Sequence, residues 1–232
     1  MKVYKALGVL LTYPGEALIA SLGEIDALCA DAELSDATRV ELTALISELR
    51  QTPLLDLQES YVELFDRGRQ RSLNLFEHVH GDSNARGQAM IDLQTMYRQN
   101  GVDPTGEQLP DYLPMLCEFL SILPGQGARQ MLGDLVVIVS LLRMRLEEYG
   151  SRYTAVMAAL VDLAQAPVDE QELRATLDDE TPERPDDFDE LDRQWQEAEV
   201  TFGAGASHAG AASKAGTDND GAQLVELRRS KH

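Results

Sequence analysis

Apolar residues three and four positions apart recur along most of this chain, and that spacing constrains the fold more than any other feature. The clearest run lies between Leu54 and Phe65, where Leu57, Tyr61 and Leu64 fall on one face of a helix. Strand-like alternation of apolar and polar residues is nearly absent. The sequence therefore predicts an all-α protein with a single helical bundle domain.

The same spacing predicts which side chains face the interior. In chain order these are Val3, Leu7, Leu10 and Leu11; Leu18, Leu22, Ile25 and Cys29; Val40, Ala44 and Leu49; Leu54, Leu57, Tyr61, Leu64 and Phe65; Ala89, Met90, Leu93, Met96 and Tyr97; Leu113, Leu116, Phe119 and Leu120; and Val156, Met157, Leu160 and Leu163. The stretch 126–149 is apolar nearly all round between Met131 and Leu142, which is typical of a helix buried at the centre of a bundle.

Capping residues and turn residues predict where several helices begin and end. Pro53 is expected at the first helical position, immediately after an N-cap. Gly68 and the pair Asn100-Gly101 are expected to end helices, the latter through a left-handed residue. The predicted N-caps are Ser35, Thr52, Asp82 or Ser83, Asp111 and Ser151.

A change of composition at Gln165 divides the chain into three predicted segments. Residues 1–164 form the helical domain. Residues 165–202 hold fourteen acidic residues and three arginines, and are predicted to be an acidic linker with an amphipathic helix that docks through its aromatic side chains, Trp195 among them. Residues 203–232 begin with a run of Ala, Gly and Ser and are predicted to be a disordered tail.

An excess of acidic residues limits the classes of partner. The chain carries 40 acidic and 20 basic residues, a net charge of −20, so nucleic acid and anionic lipid surfaces are poor partners. A basic segment of another protein would instead be steered toward it. Solubility alone is an equally good explanation for much of this charge.

Cysteine usage and hydropathy predict the compartment. Cys29 and Cys117 both lie in apolar helical patterns, where free thiols behave as small hydrophobic groups and indicate a reducing environment. The longest apolar run, 135–139, is too short to cross a bilayer. The expected location is the cytoplasm, without insertion into the membrane.

His78 and His80 are the best candidates for a metal site. Asp82 could complete a facial triad in principle, but no third or fourth His or Cys lies nearby in the sequence. Helix capping or hydrogen bonding in a turn is therefore the favoured interpretation. The sequence also lacks a nucleophile elbow, a phosphate-binding loop and a dinucleotide fingerprint. No catalytic, metal or cofactor site is predicted, and the protein is not expected to be an enzyme.

Four arginines in the same segment admit two interpretations. They could bind an anion such as a phosphorylated cofactor, or they could form ion pairs with neighbouring carboxylates. Pairing is favoured, because the few cations of an acidic protein find internal partners. The first interpretation leaves an alternative function, a cofactor- or metal-handling protein that uses His78, His80 and these arginines. The arginines are Arg67, Arg69, Arg71 and Arg86, and the available carboxylates are Glu63, Asp66, Glu77 and Asp82.

Several motifs carry a resemblance to a known family. The run YVELFDRGR at 61–69 continues through SLNLFEHVHGDS at 72–83 to RGQAM at 86–90, and LPDYLP at 109–114 is followed by EFL. Together with Trp195 and the VTFG that ends at Gly203, they strongly resemble the NarJ-type molybdenum-cofactor assembly chaperones of respiratory nitrate reductase. The resemblance extends over about residues 1–203.

This resemblance implies an all-helical chaperone rather than a subunit of the finished enzyme. Such chaperones bind the N-terminal segment of the nitrate reductase catalytic (alpha) subunit in the cytoplasm. They hold the apoenzyme competent for insertion of the molybdenum cofactor and delay its docking on the membrane anchor. The related chaperones of twin-arginine substrates carry a Pro-x-Asp-His element. The nearest stretch here is Pro110-Asp111-Tyr112, which has tyrosine in the place of the histidine. Any role of that histidine therefore does not carry over to this chain.

A peptide-binding groove would suit both the resemblance and the charge. A basic, amphipathic peptide could lie in an apolar groove between helices, with acidic residues on its rim. Aromatic anchors at the centre of such a site each contribute about 2 kcal/mol. The predicted peptide-binding residues are Tyr61, Glu63, Phe65, Asp66, Asp111 and Tyr112, and the predicted further contacts with a partner or cofactor are Arg67, Arg69, His78, His80 and Arg86.

Overall fold

Helices account for nearly all the regular structure of the described residues. The computed structural model describes residues 1–80, 84–102, 108–169 and 173, and only the backbone of residues 69, 79, 80, 84 and 85. Beyond one isolated bridge, the described backbone contains no strand, and the predicted all-α fold is confirmed. The α-helices are α1 (Lys2–Leu10), α2 (Glu16–Ala30), α3 (Asp36–Gln51), α4 (Leu54–Tyr61), α5 (Glu77–His80), α6 (Asn84–Gln99), α7 (Leu113–Ile122), α8 (Gly125–Asp134), α9 (Val136–Glu148) and α10 (Thr154–Ala164).

Helices α1 and α10 form the centre of the bundle. Helix α1 packs against α2, α7 and α10, while α10 also packs against α3, α8 and α9. The approach of α1 to α7 is close at Gly8, where an added Cβ would lie 2.8 Å from the Cβ of Cys117. Burial of apolar side chains from all these helices in one shared core is the main stabilising contribution.

Most of the predicted interior residues are buried. Those predicted in α1, α2, α7 and α10 are all confirmed. In α3, Val40 is 71% exposed, and the buried face is formed by Leu42, Leu45, Ile46 and Leu49. The prediction for α3 was therefore right for Leu49 and wrong for Val40, because the leucines and Ile46 offer more apolar area on a face rotated from Val40. Met96 of α6 is likewise exposed rather than buried.

The predicted helix starts were correct in part. The Ser35 hydroxyl accepts a hydrogen bond from the Thr38 N–H, which confirms this N-cap. Thr52 is not a cap of the next helix. Its hydroxyl donates to the Glu48 carbonyl and closes α3, and Pro53 takes the N-cap position instead. The predicted left-handed stop at Gly101 is confirmed by a φ of +78°.

The N-termini of two further helices, α7 and α10, differ from those predicted. Tyr112, not Asp111, is the N-cap of α7, because the Asp111 side chain is directed to a partner outside the helix. Helix α10 begins at Thr154, and the Ser151 hydroxyl accepts from the Tyr153 N–H one turn earlier. The proposed caps Asp82 and Ser83 lie outside the described residues.

The stretch 126–149 is not one buried helix. Helix α8 ends at Asp134 and α9 begins at Val136, with Leu135 as the joint between them. Gly133 weakens the end of α8, and the Leu135 N–H bonds to the Leu132 carbonyl in a tight turn. Val137 is exposed. The apolar stretch between Met131 and Leu142 is therefore divided between two helices that bury different faces.

The segment after α4 carries an irregularity that periodicity did not predict. The chain continues as a π-helical turn at Val62–Asp66, closed by a hydrogen bond from the Arg67 N–H to the Val62 carbonyl. This wider turn lets the adjacent Leu64 and Phe65 both point into the core. A short 3-10 turn, Arg69–Arg71, follows.

The C-terminal predictions remain largely outside the described residues. Of the predicted acidic linker and docking helix, the structure describes residues 165–169 and 173, where Leu173 is buried. The predicted disordered tail, 203–232, lies entirely outside them. Within the described chain, no helix combines the length and the hydropathy needed to cross a membrane.

Candidate binding groove

An open groove with a volume of about 1050 Å³ lies between α3, α4 and the α9–α10 connection. The C-terminal half of α3 forms one wall, α4 and the π-helical turn form the second, and residues 149–153 form the third. Tyr13, from the turn between α1 and α2, closes one side. The groove is large enough to take several side chains of a peptide.

The groove exposes apolar side chains to solvent. Leu55 is 73% exposed, Tyr13 is 53% exposed and Tyr149 is 49% exposed. The Arg71 guanidinium lies 4.3 Å from the centre of the Tyr149 ring and holds it by a cation–π contact. Exposed apolar residues that share one concave surface are typical of a binding site.

Tyr61 forms the floor of the groove and is fixed on several sides. Its hydroxyl donates to the Leu11 carbonyl at 2.8 Å and lies 3.4 Å from the Tyr112 hydroxyl. Its ring packs edge-on against Tyr13, at 5.6 Å between centroids, and against Phe65 at 4.9 Å. Burial raises the pKa of Tyr61, with a further contribution from the Tyr112 hydrogen bond. The floor is therefore neutral and rigid.

Acidic residues dominate the rim. The lining includes four carboxylates and two guanidinium groups. Arg67 pairs with Glu63 at 2.8 Å, and Arg152 lies 2.5 Å from a Glu48 oxygen. The remaining two carboxylates, Asp56 and Glu59, form no ion pair with any residue in the described part of the chain. The rim thus attracts positive charge.

Asp111 lies away from the groove, at a junction of two chain segments. It is 1% exposed, and its Oδ2 accepts from the Phe76 N–H at 2.9 Å. Backbone hydrogen bonds from Leu75 to the Asp111 carbonyl and from Leu113 to the Leu73 carbonyl hold the same junction. Burial raises the pKa of the Asp111 carboxyl, against the lowering effects of the Phe76 N–H and Arg86.

His78 is engaged in the protein interior. Its Nε2 lies 2.8 Å from the Ser72 carbonyl, and its Nδ1 lies 2.5 Å from Nη1 of the buried Arg145. A carbonyl requires a donor and a guanidinium requires an acceptor, so the ring is neutral with its proton on Nε2. Both ring nitrogens are occupied, as the hydrogen-bonding interpretation of this residue predicts. The side chain of His80 lies outside the described residues.

The metal and anion interpretations gain no geometric support. Among the residues that the structure describes, no group of three His, Cys, Asp or Glu side chains is placed to hold a metal ion. Arg67 pairs with Glu63, and Arg86 pairs with Glu77 at 3.1 Å, as the charge-pairing interpretation predicts. Asp82 and the side chain of Arg69 are outside the described residues.

Two of the six predicted peptide-binding residues line the groove, and the other four lie behind its floor or away from it. Tyr61 and Glu63 line the groove. Phe65 and Tyr112 contact Tyr61 from behind, so they support the floor rather than form it. Asp66 and Asp111 are not among the lining residues, the first being exposed in the π-helical turn and the second buried at the junction with Phe76.

Sequence reasoning missed much of the groove. Tyr13, Leu55, Asp56, Glu59 and Tyr149 line it but were not singled out. The sequence did contain one indication of the groove. Leu55 is a large apolar residue on the face of α4 that periodicity assigns to solvent. Tyr13 and Tyr149 lie in turns or at helix ends far apart in sequence, and no local pattern brings them together.

Comparison with known proteins places most of the chain in a defined group. Residues 31–159 match the family model described as nitrate reductase delta subunit. The chain is 40% identical over 194 residues to the nitrate reductase molybdenum cofactor assembly chaperone NarJ of Escherichia coli K12, covering 83% of this chain and 81% of that protein. It is 38% identical over 203 residues to the probable chaperone NarW of the same strain, covering 87% and 84%. It is 30% identical over 158 residues to the probable NarJ of Bacillus subtilis 168, covering 68% and 85%.

Proposed function

Because the chain belongs to the NarJ-type nitrate reductase molybdenum cofactor assembly chaperones, we propose that its client is the catalytic (alpha) subunit of a nitrate reductase. The protein binds the N-terminal segment of that subunit in the cytoplasm. It holds the apoenzyme competent for insertion of the molybdenum cofactor and delays docking on the membrane anchor. It acts by binding, without chemistry of its own.

The open groove beside α4 is the observation that carries this proposal. A flexible N-terminal segment needs an exposed, concave and partly apolar surface, and Leu55, Tyr13 and Tyr149 provide it. The rigid floor at Tyr61 limits the ordering that binding requires of the chaperone, which favours affinity. The acidic rim accelerates encounter with a basic segment more than it tightens the complex.

The predicted site residues have distinct roles in this proposal. Tyr61 contacts the peptide directly from the floor of the groove. Glu63 also lines the groove, but its carboxylate is held by Arg67, so it shapes the rim instead of binding the peptide's basic side chains. Phe65 and Tyr112 keep the Tyr61 ring in place. Asp111 holds the loop around Phe76 and acts on the groove only through the fold.

Calorimetry tests the proposal directly. The full chain is titrated with a synthetic peptide that has the sequence of the reductase N-terminus. Leu55→Ser removes an exposed apolar side chain from the groove, and Val40→Ser removes one of similar exposure from α3, outside the groove. We expect about a tenfold loss of affinity for Leu55→Ser and less than about a twofold change for Val40→Ser.

Two outcomes would overturn the proposal. One is the absence of measurable binding by the unaltered chain at micromolar peptide. The other is an equal loss of affinity in both variants, which would place the peptide elsewhere. A chain lacking the residues after Gly203 should lose at most part of its affinity, since every described residue that lines the groove precedes them.

A further inference from the structure

The four carboxylates on the rim of the groove are of two kinds. Glu63 and Glu48 already face guanidinium groups of the same chain, those of Arg67 and Arg152. All four side chains of these two pairs are about half exposed or more, so the pairs add little to stability. They nevertheless neutralise the potential at two places on the rim, because each carboxylate has a positive charge within 3 Å.

Asp56 and Glu59 are different. Both lie on α4, both are exposed, and neither forms an ion pair with a described residue. Their spacing of three positions places them side by side on the helix surface, roughly 5–6 Å apart at Cβ. The exposed side chain of Leu55 lies four positions before Glu59 and so adjoins it on the helix surface. Helix α4 therefore presents two unpaired negative charges next to an apolar side chain.

We propose that Asp56 and Glu59, rather than Glu48 and Glu63, recognise the positively charged side chains of the bound segment. The inference rests on the function proposed above and identifies the part of the groove that selects the client. A cation that approaches Glu48 or Glu63 must first displace Arg152 or Arg67. At Asp56 and Glu59 it gains the full attraction of an unpaired carboxylate.

The spacing of the two carboxylates also describes the ligand. Two basic side chains one helical turn apart, or one arginine between both carboxylates, would match Asp56 and Glu59. An apolar side chain on the same face of the ligand would reach Leu55 and Tyr13. The preferred client segment is therefore an amphipathic helix with basic residues bordering its apolar face.

A purely structural role is the competing explanation for one of these residues. Asp56 lies in the first turn of α4, where a negative charge stabilises the helix N-terminus. Such a role would change the thermal stability of the chain and leave its preference among peptides unaltered. Glu59 lies in the second turn of α4 and is free of this ambiguity.

Two double variants of the full chain separate the two kinds of carboxylate. Asp56→Asn with Glu59→Gln and Glu48→Gln with Glu63→Gln each change the net charge by the same two units, from −20 to −18. Long-range attraction is therefore matched, and only local recognition differs. Both are titrated with the reductase N-terminal peptide and with a copy of it whose Arg and Lys residues are replaced by Gln.

The expected result is specific to the unpaired carboxylates. The Asp56 and Glu59 variant should bind the unaltered peptide about tenfold more weakly and should discriminate little between the two peptides. The Glu48 and Glu63 variant should stay within about threefold of the parent chain and keep its discrimination. Circular dichroism and thermal unfolding confirm that each variant is folded. If a double variant does not fold, Glu59→Gln is compared with Glu48→Gln.

The outcomes distinguish this inference from the proposed function. Equal losses in the two variants, or a larger loss in the Glu48 and Glu63 variant, overturn the inference and leave the peptide-binding function intact. Preserved discrimination in the Asp56 and Glu59 variant also overturns it. Failure of the unaltered chain to bind the peptide overturns both.

Discussion

The Asp111 carboxylate accepts a hydrogen bond from the backbone N–H of Phe76 at 2.9 Å and so ties the loop before α5 to the start of α7. Asp111→Ala would leave that N–H without its acceptor and should lower the free energy of unfolding by about 1–3 kcal/mol. Asp111→Asn keeps an acceptor and should lose less. Urea denaturation followed by circular dichroism measures both. Equal losses would show that the hydrogen bond contributes nothing.

The same carboxyl makes stability depend on pH. Burial raises its pKa above the ordinary value of 3.8 in the folded chain. The folded state therefore binds this proton more tightly than the unfolded state, and the resulting stabilisation is present below pH 3.8 and lost as pH rises through the folded pKa. Asp111→Asn lacks this titration. Its stability relative to the parent chain should rise from acidic to neutral pH, and a constant difference in urea denaturation would contradict the assignment.

Substitution of His78 distinguishes a packing role of this residue from a metal-binding role. Its Nδ1 accepts from the buried Arg145, so His78→Ala removes an acceptor and should lower the free energy of unfolding by about 1–3 kcal/mol. The metal content of the purified chain, measured by elemental analysis, should not change. Loss of a stoichiometric metal in His78→Ala would instead support a metal-handling function.

The sequence predicted the helices better than the contacts that join them. Asp111 looked like the N-cap of α7 because it stands just before Leu113-Pro114, and a local pattern contains no sign of its partner Phe76, 35 residues away. Tyr61 and Glu63 were predictable because they belong to a recognisable motif. The rest of the groove was not, because three separate segments build it and only the fold brings them together.

Substitution of Gly8 by alanine tests the close approach of α1 to α7. Alanine normally stabilises a helix interior relative to glycine by about 1 kcal/mol. Here its Cβ would lie 2.8 Å from the Cys117 Cβ and 3.0 Å from the Pro114 carbonyl oxygen, so Gly8→Ala should lower the free energy of unfolding by about 1–3 kcal/mol. Gly23→Ala in α2 is the matched control, since its nearest neighbour, Arg50, lies 3.9 Å away. It should be neutral or stabilising in urea denaturation.

Both thiols should be unreactive in the folded chain. Burial raises the pKa of Cys117 to about 12 and that of Cys29 to about 11, with a smaller contribution to the latter from Asp26. The reactive thiolate is therefore scarce at pH 8. A colorimetric thiol assay should detect two groups quickly in denaturant and show slow labelling without it. Rapid labelling of the native chain would mean that one cysteine is accessible.

The floor of the groove sets a condition on when the chaperone becomes active during its own synthesis. Tyr61 depends on Leu11, made 50 residues earlier, and on Tyr112, made 51 residues later, while the Phe65 ring beneath it packs on Tyr153. A nascent chain that has not yet emerged as far as Tyr153 cannot form this floor. Binding at the groove must therefore wait until synthesis has passed Tyr153, however early α4 itself forms.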